Sequence, residues 1–229
     1  MVTTPKQLLS FPPLENGDRL SRSEFERRYR AMPHLKKAEL IEGVVYMASP
    51  LRIRSHGEPH GDSIAWLGTY KAFTPGVVMG IEPTVRLDLD NEPQPDAVLF
   101  IPDRQATISE DDYIEGAPEL VMEVAASSAA IDLHDKKRAY RRNGVQEYIV
   151  WRTLENQLDW FRLQTDEYVS LVRDEQGIIR SQVFPGLWLA VSALLSGEMT
   201  MVLSVLQAGL NSTEHQAFVQ QLAQEMGKA

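Results

Sequence analysis

One short segment constrains the fold of this chain more than any other. Leu120–Ala125 is an apolar run bounded by Pro118 and Ser127, which is typical of a buried strand. A helical pattern covers residues 132 to 143 and ends at Gly144, the residue type most favoured just past a helix C-terminus. The letters QEYIVW that follow predict a second strand. Strand, helix and strand within about 30 residues make a parallel βαβ unit, so the core is predicted to be α/β.

The first of these strands carries a charge at its centre. Side chains alternate between the two faces of a strand, so Glu123 shares a face with Val121 and Ala125. The letters DAVLF predict another strand, with Asp96 at its start and Val98 on the same face. If the two strands are neighbours, Asp96 and Glu123 converge. Two such anions repel each other unless a proton or a cation lies between them.

Magnesium is the cation that suits two converging carboxylates. It is a hard ion that prefers oxygen ligands, and it is commonly held by one or two carboxylates while water and substrate phosphate complete the octahedron. Two plainer interpretations stay open here. Asp96 could be a turn residue after Pro95, and Glu123 could belong to a structural buried ion pair. The two carboxylates together favour the metal site.

A lysine on the following helix is predicted to face the same place. A helix turns by about 100° per residue, which puts Lys136 in one arc with Ala139 and Tyr140 and leaves Lys137 at the border of that arc. A charge inside an apolar stripe is costly unless it meets an anion. Glu123 and a bound phosphate would both supply one, so Lys136 is the predicted inward lysine and Lys137 is expected to point toward solvent.

Composition limits the kinds of partner and the location. In the 229 residues, 32 Asp and Glu outnumber 23 Lys and Arg, which gives a net charge of −9 and a pI near 5.1. This argues against a protein held to nucleic acid by bulk charge, so any such contact must be local. The chain has no Cys, and its first residues lack the apolar core of a signal peptide. No apolar run approaches the roughly 18 residues of a membrane helix, so a cytoplasmic location is expected.

The chain is expected to consist of three segments. Residues 1–20 are Pro-rich and irregular, residues 21–191 form the α/β domain, and residues 192–229 form a helical extension. The letters AELIEGVVYMA predict a hairpin that turns at Glu42 and Gly43. LDWFRL and EYVSLV predict further strands, and FPGLWL is expected to close the sheet region.

Capping patterns predict where several helices begin. Ser21 with Glu24 fits a capping box that opens the first helix. Residues 59 to 73 are in helical register and predict a second helix. Residues 192 to 226 predict two more helices, the last opened by Thr213 with Gln216.

Several phrases of the sequence, in the same order, resemble a known family. They are ELIEGVVYM, VRLDLDNEPQPDAVL, PELVMEVAASS, DLHDKKRAYRRNGVQEYIVW and FPGLWL, and they span roughly residues 35 to 190. The chain is similar to the Uma-type restriction endonuclease family of the PD-(D/E)xK nuclease superfamily. The resemblance implies a restriction-endonuclease-like core, in which a mixed β-sheet is flanked by helices, here followed by a C-terminal helical extension.

The resemblance also implies site residues. Asp96 and Glu123 match the acidic pair of the superfamily motif. Glu39 resembles the family's acidic residue in the hairpin, although an exposed strand carboxylate is a nearly equal alternative. The lysine expected two residues after Glu123 is replaced by Ala125, and the family is understood to supply it from the next helix, where Lys136 matches. The family's usual Ser-Pro-Ser after the strand is ASS here, which removes no metal ligand.

The implied function is that of a metal-dependent phosphodiesterase, a DNA endonuclease that uses Mg²⁺ or, as a substitute, Mn²⁺. Asp96 and Glu123 would hold the ion, and the carbonyl of Val124 could add a ligand. Lys136 would orient the attacking water or stabilise the pentacovalent oxygens. The alternative is a catalytically silent nuclease-fold protein that binds nucleic acid or a protein partner. Retention of all three side chains favours the enzyme.

Other polar residues allow two interpretations each. His56 and His60 lie in the phrase HGEPH at a helix start, where capping or packing is at least as good an explanation as catalysis. Asp88 and Asp90 are expected to face solvent on a hairpin. The basic residues between 136 and 142 form either an ordinary solvated helix face or a phosphate contact.

The C-terminal segment suggests assembly. MTMVLSVLQAGL is more apolar than a peripheral helix needs, and Phe218 and Leu222 lie on one side of the last helix. These elements are expected to bury against the main domain or against a second copy. Two-fold symmetry would set two active sites against the antiparallel strands of a duplex, so a homodimer is predicted.

Overall fold

A six-stranded mixed β-sheet forms the centre of the computed structural model, which describes residues 12–48 and 50–227. In spatial order the strands are β11 (Glu167–Ser170), β10 (Gln157–Gln164), β9 (Glu147–Arg152), β8 (Leu120–Ala125), β5 (Ala97–Phe100) and β3 (Val78–Ile81). β8 and β9 are parallel, and the other neighbours in this sheet are antiparallel. The predicted parallel βαβ unit is confirmed, and it lies inside a mixed sheet.

The two faces of the sheet are covered by different helices. Leu120 of β8 packs in a core shared with helix α2 (Glu58–Ala72) and the C-terminal helices. Val121 packs on the opposite face, in a second core that includes Tyr140. The predicted alternation of β8 is therefore confirmed, and it places Glu123 on the face of Val121.

The other described strands form smaller sheets. They are the hairpin of β1 (Ala38–Ile41) and β2 (Val44–Met47), the sheet of β4 (Val85–Arg86), β6 (Ala106–Ile108) and β7 (Ile114–Gly116), and the pair β12 (Ile178–Arg180) and β13 (Trp188–Ala190). The predicted hairpin turn is confirmed. Glu42 and Gly43 have φ values of 52° and 72°, as a two-residue turn between antiparallel strands requires.

Two of the helical segments contain π-helical turns. Besides α2, the described α-helices are α1 (Arg22–Arg30), α3 (Ala129–Ile131), α4 (Lys137–Arg142), α5 (Val191–Leu195), α6 (Met199–Leu210) and α7 (Thr213–Met226). The turn Ile53–Gly57 leads into α2, and the turn Asp132–Lys136 joins α3 to α4. The helix predicted over residues 132 to 143 thus begins earlier and is not uniformly α-helical. Turns of this kind often lie at functional sites.

The capping box predicted for α1 is wrong, although the helix lies where it was expected. Ser21 precedes the helix, but its Oγ lies 3.1 Å from Ser23 Oγ and accepts no hydrogen bond from a helical N–H. Glu24 binds the guanidinium groups of Arg27 and Arg28 instead. A carboxylate forms a stronger hydrogen bond with a cation than with a neutral amide, which explains the exchange of partners.

The C-terminal segment forms three helices where two were predicted. The extra break lies at Gly197, whose φ of 73° ends α5. α7 is capped by Ser212, whose Oγ accepts a hydrogen bond of 3.2 Å from the N–H of His215, so Thr213 is the first helical residue and not the cap. The cap was misplaced by one residue because two hydroxyl side chains are adjacent in the sequence.

The last helices pack on the sheet of their own chain. Leu206 of α6 and Leu222 of α7 belong to the same core as Trp66 of α2. The expectation that these elements bury against the main domain is confirmed, while the division of the chain at residues 20 and 191 stays a prediction. None of the helices in the described ranges is long and apolar enough to cross a membrane.

Candidate functional site

Lys136 lies at the centre of a buried cluster of carboxylates. Its Nζ is 2.8 Å from Glu39 Oε1 and 3.0 Å from Glu123 Oε1. Asp132 Oδ1 lies 3.7 Å from the same ammonium. Lys136 and Glu123 are 5% and 4% exposed, so these ion pairs are shielded from water. The structure therefore brings together three residues that were predicted as site residues, namely Glu39, Glu123 and Lys136.

The β1–β2 hairpin delivers Glu39 to this cluster. Glu39 Oε1 accepts a hydrogen bond of 2.7 Å from the backbone N–H of Gln94. The same oxygen forms the ion pair with Lys136. Leu40 and Glu92 exchange two backbone hydrogen bonds of 2.8 and 3.1 Å beside it. These bonds join the hairpin to the segment that leads into β5. Glu39 is consequently a paired residue of the cluster and not an exposed strand carboxylate.

The charges of the cluster do not balance. Burial raises the pKa of Glu123 to about 8; Lys136 opposes this rise, and nearby carboxylates such as Asp132 add to it. The hydroxyl of Tyr140 donates a hydrogen bond of 2.8 Å to Glu123 Oε1. Burial disfavours the charge of Lys136, but the carboxylates outweigh it and hold its pKa well above the usual value. One ammonium among three carboxylates leaves an excess of negative charge that a proton or a further cation must balance.

Asp96 lies just before β5 and faces the neighbouring strand β8. Its Oδ2 accepts a hydrogen bond of 2.6 Å from the N–H of Val124, and its Oδ1 is 3.4 Å from His56 Nε2. β5 and β8 are adjacent and antiparallel, and continuing their register sets Asp96 opposite Glu123. Burial would raise the pKa of Asp96, but His56 and the Val124 amide lower it below the usual value. Asp96 is therefore an ionised carboxylate inside the protein.

Both histidines of HGEPH contact this part of the site. His56 Nδ1 is 2.9 Å from the carbonyl oxygen of Val124, and His60 Nε2 is 3.0 Å from the carbonyl oxygen of Asp96. Because a carbonyl only accepts hydrogen bonds, the two nitrogens in these contacts carry the hydrogen. Within the described part of the chain, the buried His56 Nε2 has no hydrogen bond of normal geometry, and its charged neighbour is Asp96 Oδ1 at 3.4 Å. The sequence left open whether these histidines serve capping, packing or catalysis. The structure places both of them beside Asp96.

The donors around Asp96 fit a divalent metal ion. Carboxylate oxygens of Asp96 and Glu123 and the carbonyl of Val124 are the kind of ligand that Mg²⁺ prefers. One ligand atom each of His56, His60 and Asp96 lies within 4.8 Å of the others. His56 Nε2, without a hydrogen bond and next to an ionised carboxylate, marks a position where a cation would be stabilised. The binding of one ion by Asp96 and Glu123 together stays a prediction.

The basic face of the helix after β8 is engaged by other protein groups. Arg138 binds Asp135 (3.3 Å), Arg141 binds Glu167 (2.6 Å), Arg142 binds Glu42 (2.9 Å), and the Lys137 ammonium lies 3.4 Å from the centroid of the Phe161 ring. Lys137 points away from the carboxylate cluster, as predicted, but it is only partly exposed. Of the two interpretations of this face, the structure favours the ordinary solvated helix face over a phosphate contact.

One of the two aspartates expected on the solvent side of a hairpin is placed differently. Asp88 accepts hydrogen bonds of 2.8 Å from the side-chain amides of Asn91 and Asn143, and it also contacts Arg142. Asp90 is exposed, as predicted. The prediction was wrong for Asp88 because partners from the end of a distant helix cover it, which strand periodicity cannot show.

Two residues of the cluster were missed at the sequence level. Asp132 precedes Lys136 by four positions, and Tyr140 follows it by four. Side chains four residues apart lie on the same side of a helix, so the spacing was an available signal for both. Tyr140 was expected to face inward, but its hydroxyl was not connected with Glu123.

Comparisons with known proteins agree with this geometry. A family model described as "Uma2: Putative restriction endonuclease" matches residues 22–192. A crystal structure described as a "putative nuclease belonging to DUF820", from Anabaena variabilis ATCC 29413, has a TM-score of 0.55 and 16% identity, over 74% of this chain and 96% of that chain. At this identity the likeness shows the fold alone. No curated protein matches the chain. Because the family match spans most of the chain and every residue of the cluster, this chain belongs to the Uma2 family and has a restriction-endonuclease-like α/β fold.

Proposed function

We propose that the protein is a metal-dependent DNA endonuclease that hydrolyses phosphodiester bonds. The observation that carries this proposal is the buried contact of Lys136 with Glu39 and Glu123, one strand away from Asp96. Buried clusters with more carboxylates than cations are costly, and such perturbed groups concentrate at functional sites. Membership of the Uma2 family supports a nuclease-like function.

The ammonium of Lys136 is proposed to act on the scissile phosphate. It orients the attacking water or stabilises the charge on the pentacovalent oxygens, where a fixed cation costs no reorganisation during the reaction. Glu39 and Asp132 keep the ammonium charged and hold it in position. The Gln94 amide fixes Glu39 in turn.

Asp96 and Glu123, with the carbonyl of Val124, are the residues proposed to hold Mg²⁺, or Mn²⁺ as a substitute. When bound, such an ion supplies Lewis acidity and lowers the pKa of coordinated water. Asp96 is suited to this role because the Val124 amide binds Oδ2 and leaves Oδ1 directed toward the site histidine. Both carboxylates are buried, which strengthens their attraction for a cation.

Two exposed arginines support a nucleic-acid substrate. Arg52 immediately precedes the π-helical turn of His56 and Arg54 lies within it, and among residues 12–48 and 50–227 their guanidinium groups have no ion-pair partner. Such groups beside the site can bind phosphates, whereas the arginines of α4 are already paired. A local contact of this kind is compatible with a net charge of −9.

Cleavage of supercoiled plasmid DNA in the presence of Mn²⁺ or Mg²⁺ tests the proposal. We expect nicked or linear product from the wild type and a loss of at least about 100-fold for Asp96→Asn, since removal of a group that stabilises the reacting charge costs this much. Asp90→Asn is the matched control, because Asp90 is exposed, and it should cleave at the wild-type rate. DNA binding without cleavage by the wild type would instead support a silent binding module.

The salt dependence of DNA binding tests the arginines separately. Arg52→Ala and Arg54→Ala should each weaken binding to all sequences alike and reduce the slope of log K against log salt by about 1. Arg141→Ala is the control, because Arg141 already binds Glu167. An unchanged slope in both Arg52→Ala and Arg54→Ala would place the phosphate contacts elsewhere.

A homodimer and a cytoplasmic location stay part of the proposal. Most of the apolar side chains of α6 and α7 that suggested the homodimer are buried in their own chain, among them Leu206, Phe218 and Leu222, while Met201 is 52% exposed. Sedimentation of the purified protein at micromolar concentration would decide between a monomer and a homodimer. A monomer would favour nicking of single strands over coordinated cleavage of a duplex.

A further inference from the structure

Two buried histidines in this protein have different surroundings. His215 is 4% exposed and uses both ring nitrogens, with Nδ1 at 2.9 Å from the Leu210 carbonyl and Nε2 at 3.0 Å from Thr74 Oγ1. This is the pattern of a histidine that stabilises the fold. His56 is 8% exposed and hydrogen-bonds through Nδ1, while the buried Nε2 has no hydrogen bond of normal geometry within the described residues and lies 3.4 Å from Asp96 Oδ1. A buried nitrogen left in this way needs a reason, because the lost hydrogen bond costs stability.

The hydrogen bond of Nδ1 determines what the other nitrogen of His56 can offer. Nδ1 must carry a hydrogen to donate to the Val124 carbonyl, so in the neutral ring Nε2 presents a lone pair. In the metal-free protein Nε2 lies 3.4 Å from the ionised carboxylate of Asp96, which favours a proton on this nitrogen; a metal ion bound between the two groups would replace that proton. Metal-binding histidines commonly donate their other N–H to a backbone carbonyl in the same way, which fixes the tautomer and the ring orientation.

His60 completes a group of three possible ligands; its Nε2 donates to the Asp96 carbonyl, so Nδ1 is the nitrogen that carries the lone pair. One ligand atom each of His56, His60 and Asp96 lies within 4.8 Å of the others. Donors bound to one ion at about 2.1 Å are separated by about 3.0 to 4.2 Å, so shifts of well under 1 Å per side chain bring the three into a coordination shell. His56 and His60 are one helical turn apart at the start of α2, where the π-helical turn directs both rings to the same side.

We propose that His56, His60 and Asp96 form a binding site for a divalent transition-metal ion, which takes Co²⁺, Zn²⁺ or Mn²⁺ in preference to Mg²⁺. Imidazole is a ligand for transition metals, whereas Mg²⁺ favours sites made of oxygen atoms alone. The site shares Asp96 with the proposed endonuclease function, but metal binding is measured without DNA and does not depend on that function. Oε1 of Glu123 is engaged by Lys136 and Tyr140, whereas His56 Nε2 lies 3.4 Å from Asp96 Oδ1.

Titration of the purified full-length chain with Co²⁺, followed by visible absorption, tests this inference. We expect one equivalent to bind, and Mg²⁺ in about a thousandfold excess should not displace it. His60→Ala should weaken Co²⁺ binding at least about tenfold. His34→Ala is the matched control, because His34 is exposed and far along the chain from this group, and it should bind as the wild type does. Equal Co²⁺ affinity in His60→Ala and the wild type, or displacement by equimolar Mg²⁺, would overturn the proposal.

A second measurement needs no substitution and so cannot be confused with misfolding. The electron spin-echo spectrum of the wild-type protein loaded with one equivalent of Mn²⁺ should show modulation from coordinated imidazole nitrogen, and a spectrum with oxygen ligands alone would contradict the site. The two proposals can fail separately. Plasmid cleavage together with an oxygen-only Mn²⁺ spectrum would contradict this metal site and leave the endonuclease proposal standing. Nitrogen ligation without plasmid cleavage would support the metal site and contradict the endonuclease proposal.

Discussion

Two buried glutamates on neighbouring parallel strands have opposite surroundings. Glu147 of β9 is fully buried, and its carboxylate accepts hydrogen bonds from Ser181 Oγ (2.7 Å), Trp160 Nε1 (3.1 Å) and the N–H of Gln182 (2.6 Å). These donors are all neutral. Glu123 of β8 lies on the other face of the sheet, where its partners are an ammonium and a tyrosine hydroxyl among further carboxylates.

The difference separates a structural carboxylate from a functional one. Around Glu147 every donor is uncharged, and the bonds join β9 to β10 and to the segment before β13, so the residue holds the fold together. Around Glu123 one lysine serves three carboxylates, and the cluster carries a charge imbalance that a purely structural arrangement would avoid. Stability given up in this way is usual where a site must bind a cation or a substrate.

The largest effect is expected from removing the cation of the cluster. Lys136→Met should lower the free energy of unfolding by about 3–5 kcal/mol at pH 7, because Glu39, Glu123 and Asp132 lose their shared partner inside the protein. Urea unfolding measures it. Lys137→Met is the control, since Lys137 only lies over the Phe161 ring, and it should cost less than about 1 kcal/mol. Equal losses in the two variants would mean that the cluster is not held by Lys136.

The next effect is on activity and contrasts the two glutamates directly. Glu123→Gln should reduce plasmid cleavage at least about 100-fold, because it removes a carboxylate from the proposed reaction site. Glu147→Gln should cleave at close to the wild-type rate when assayed at a temperature where it is folded. If both variants lose activity equally, the distinction between the two carboxylates fails.

Stability should rank the same two variants in the opposite order. Glu147→Gln places an amide NH₂ against the N–H of Gln182 or the donors of Ser181 and Trp160, and should lose about 1–3 kcal/mol. Glu123→Gln replaces a carboxyl group that is largely protonated below about pH 8 by a neutral amide of similar shape, so it should change stability at pH 7 by less than about 1 kcal/mol. Thermal unfolding of both variants would check it. A larger loss for Glu123→Gln would show that Glu123 is ionised in the folded protein and that its ion pair with Lys136 stabilises the cluster.

The last comparison concerns the pH dependence of stability. The folded-state pKa of Glu123 is about 8 against an ordinary value of 4.5, so between these values the folded protein binds a proton that the unfolded chain does not. This contribution to stability is complete below about pH 4.5 and is lost as the pH rises through about 8. Glu123→Gln should therefore flatten the decline of stability between about pH 5 and 8.

Glu147 provides the comparison for this titration as well. Burial raises its pKa too, but its neutral donors favour the ionised form and oppose the rise, so Glu147→Gln should flatten the decline less. Some slope should persist in both variants, because burial and the neighbouring Glu26 raise the pKa of Glu92 to about 8. A steeper decline in Glu123→Gln than in the wild type would reverse the assigned direction of the Glu123 shift.

Local periodicity predicted much of the fold and the inward side chains of the site. The period of two in β8 placed Glu123 opposite to Leu120, and the helical arc placed Lys136 toward it, even though a π-helical turn interrupts that helix. The caps at Ser21 and Thr213 were the weaker predictions. Each hydroxyl has another hydroxyl or a charged group close by in the sequence, and the choice among them depends on small differences in the backbone.

The sequence by itself determined the parallel unit, the alternation of β8 and the inward direction of Lys136, because each depends on neighbours within one strand or one helical segment. Only the tertiary structure decided the rest. His56 meets the Val124 carbonyl across 68 residues of chain, and Arg142 meets Glu42 across 100. No pattern of near neighbours encodes such contacts. They arise where separate elements pack together. That packing brought the basic face of the helix against the protein's own carboxylates and placed the histidines beside Asp96.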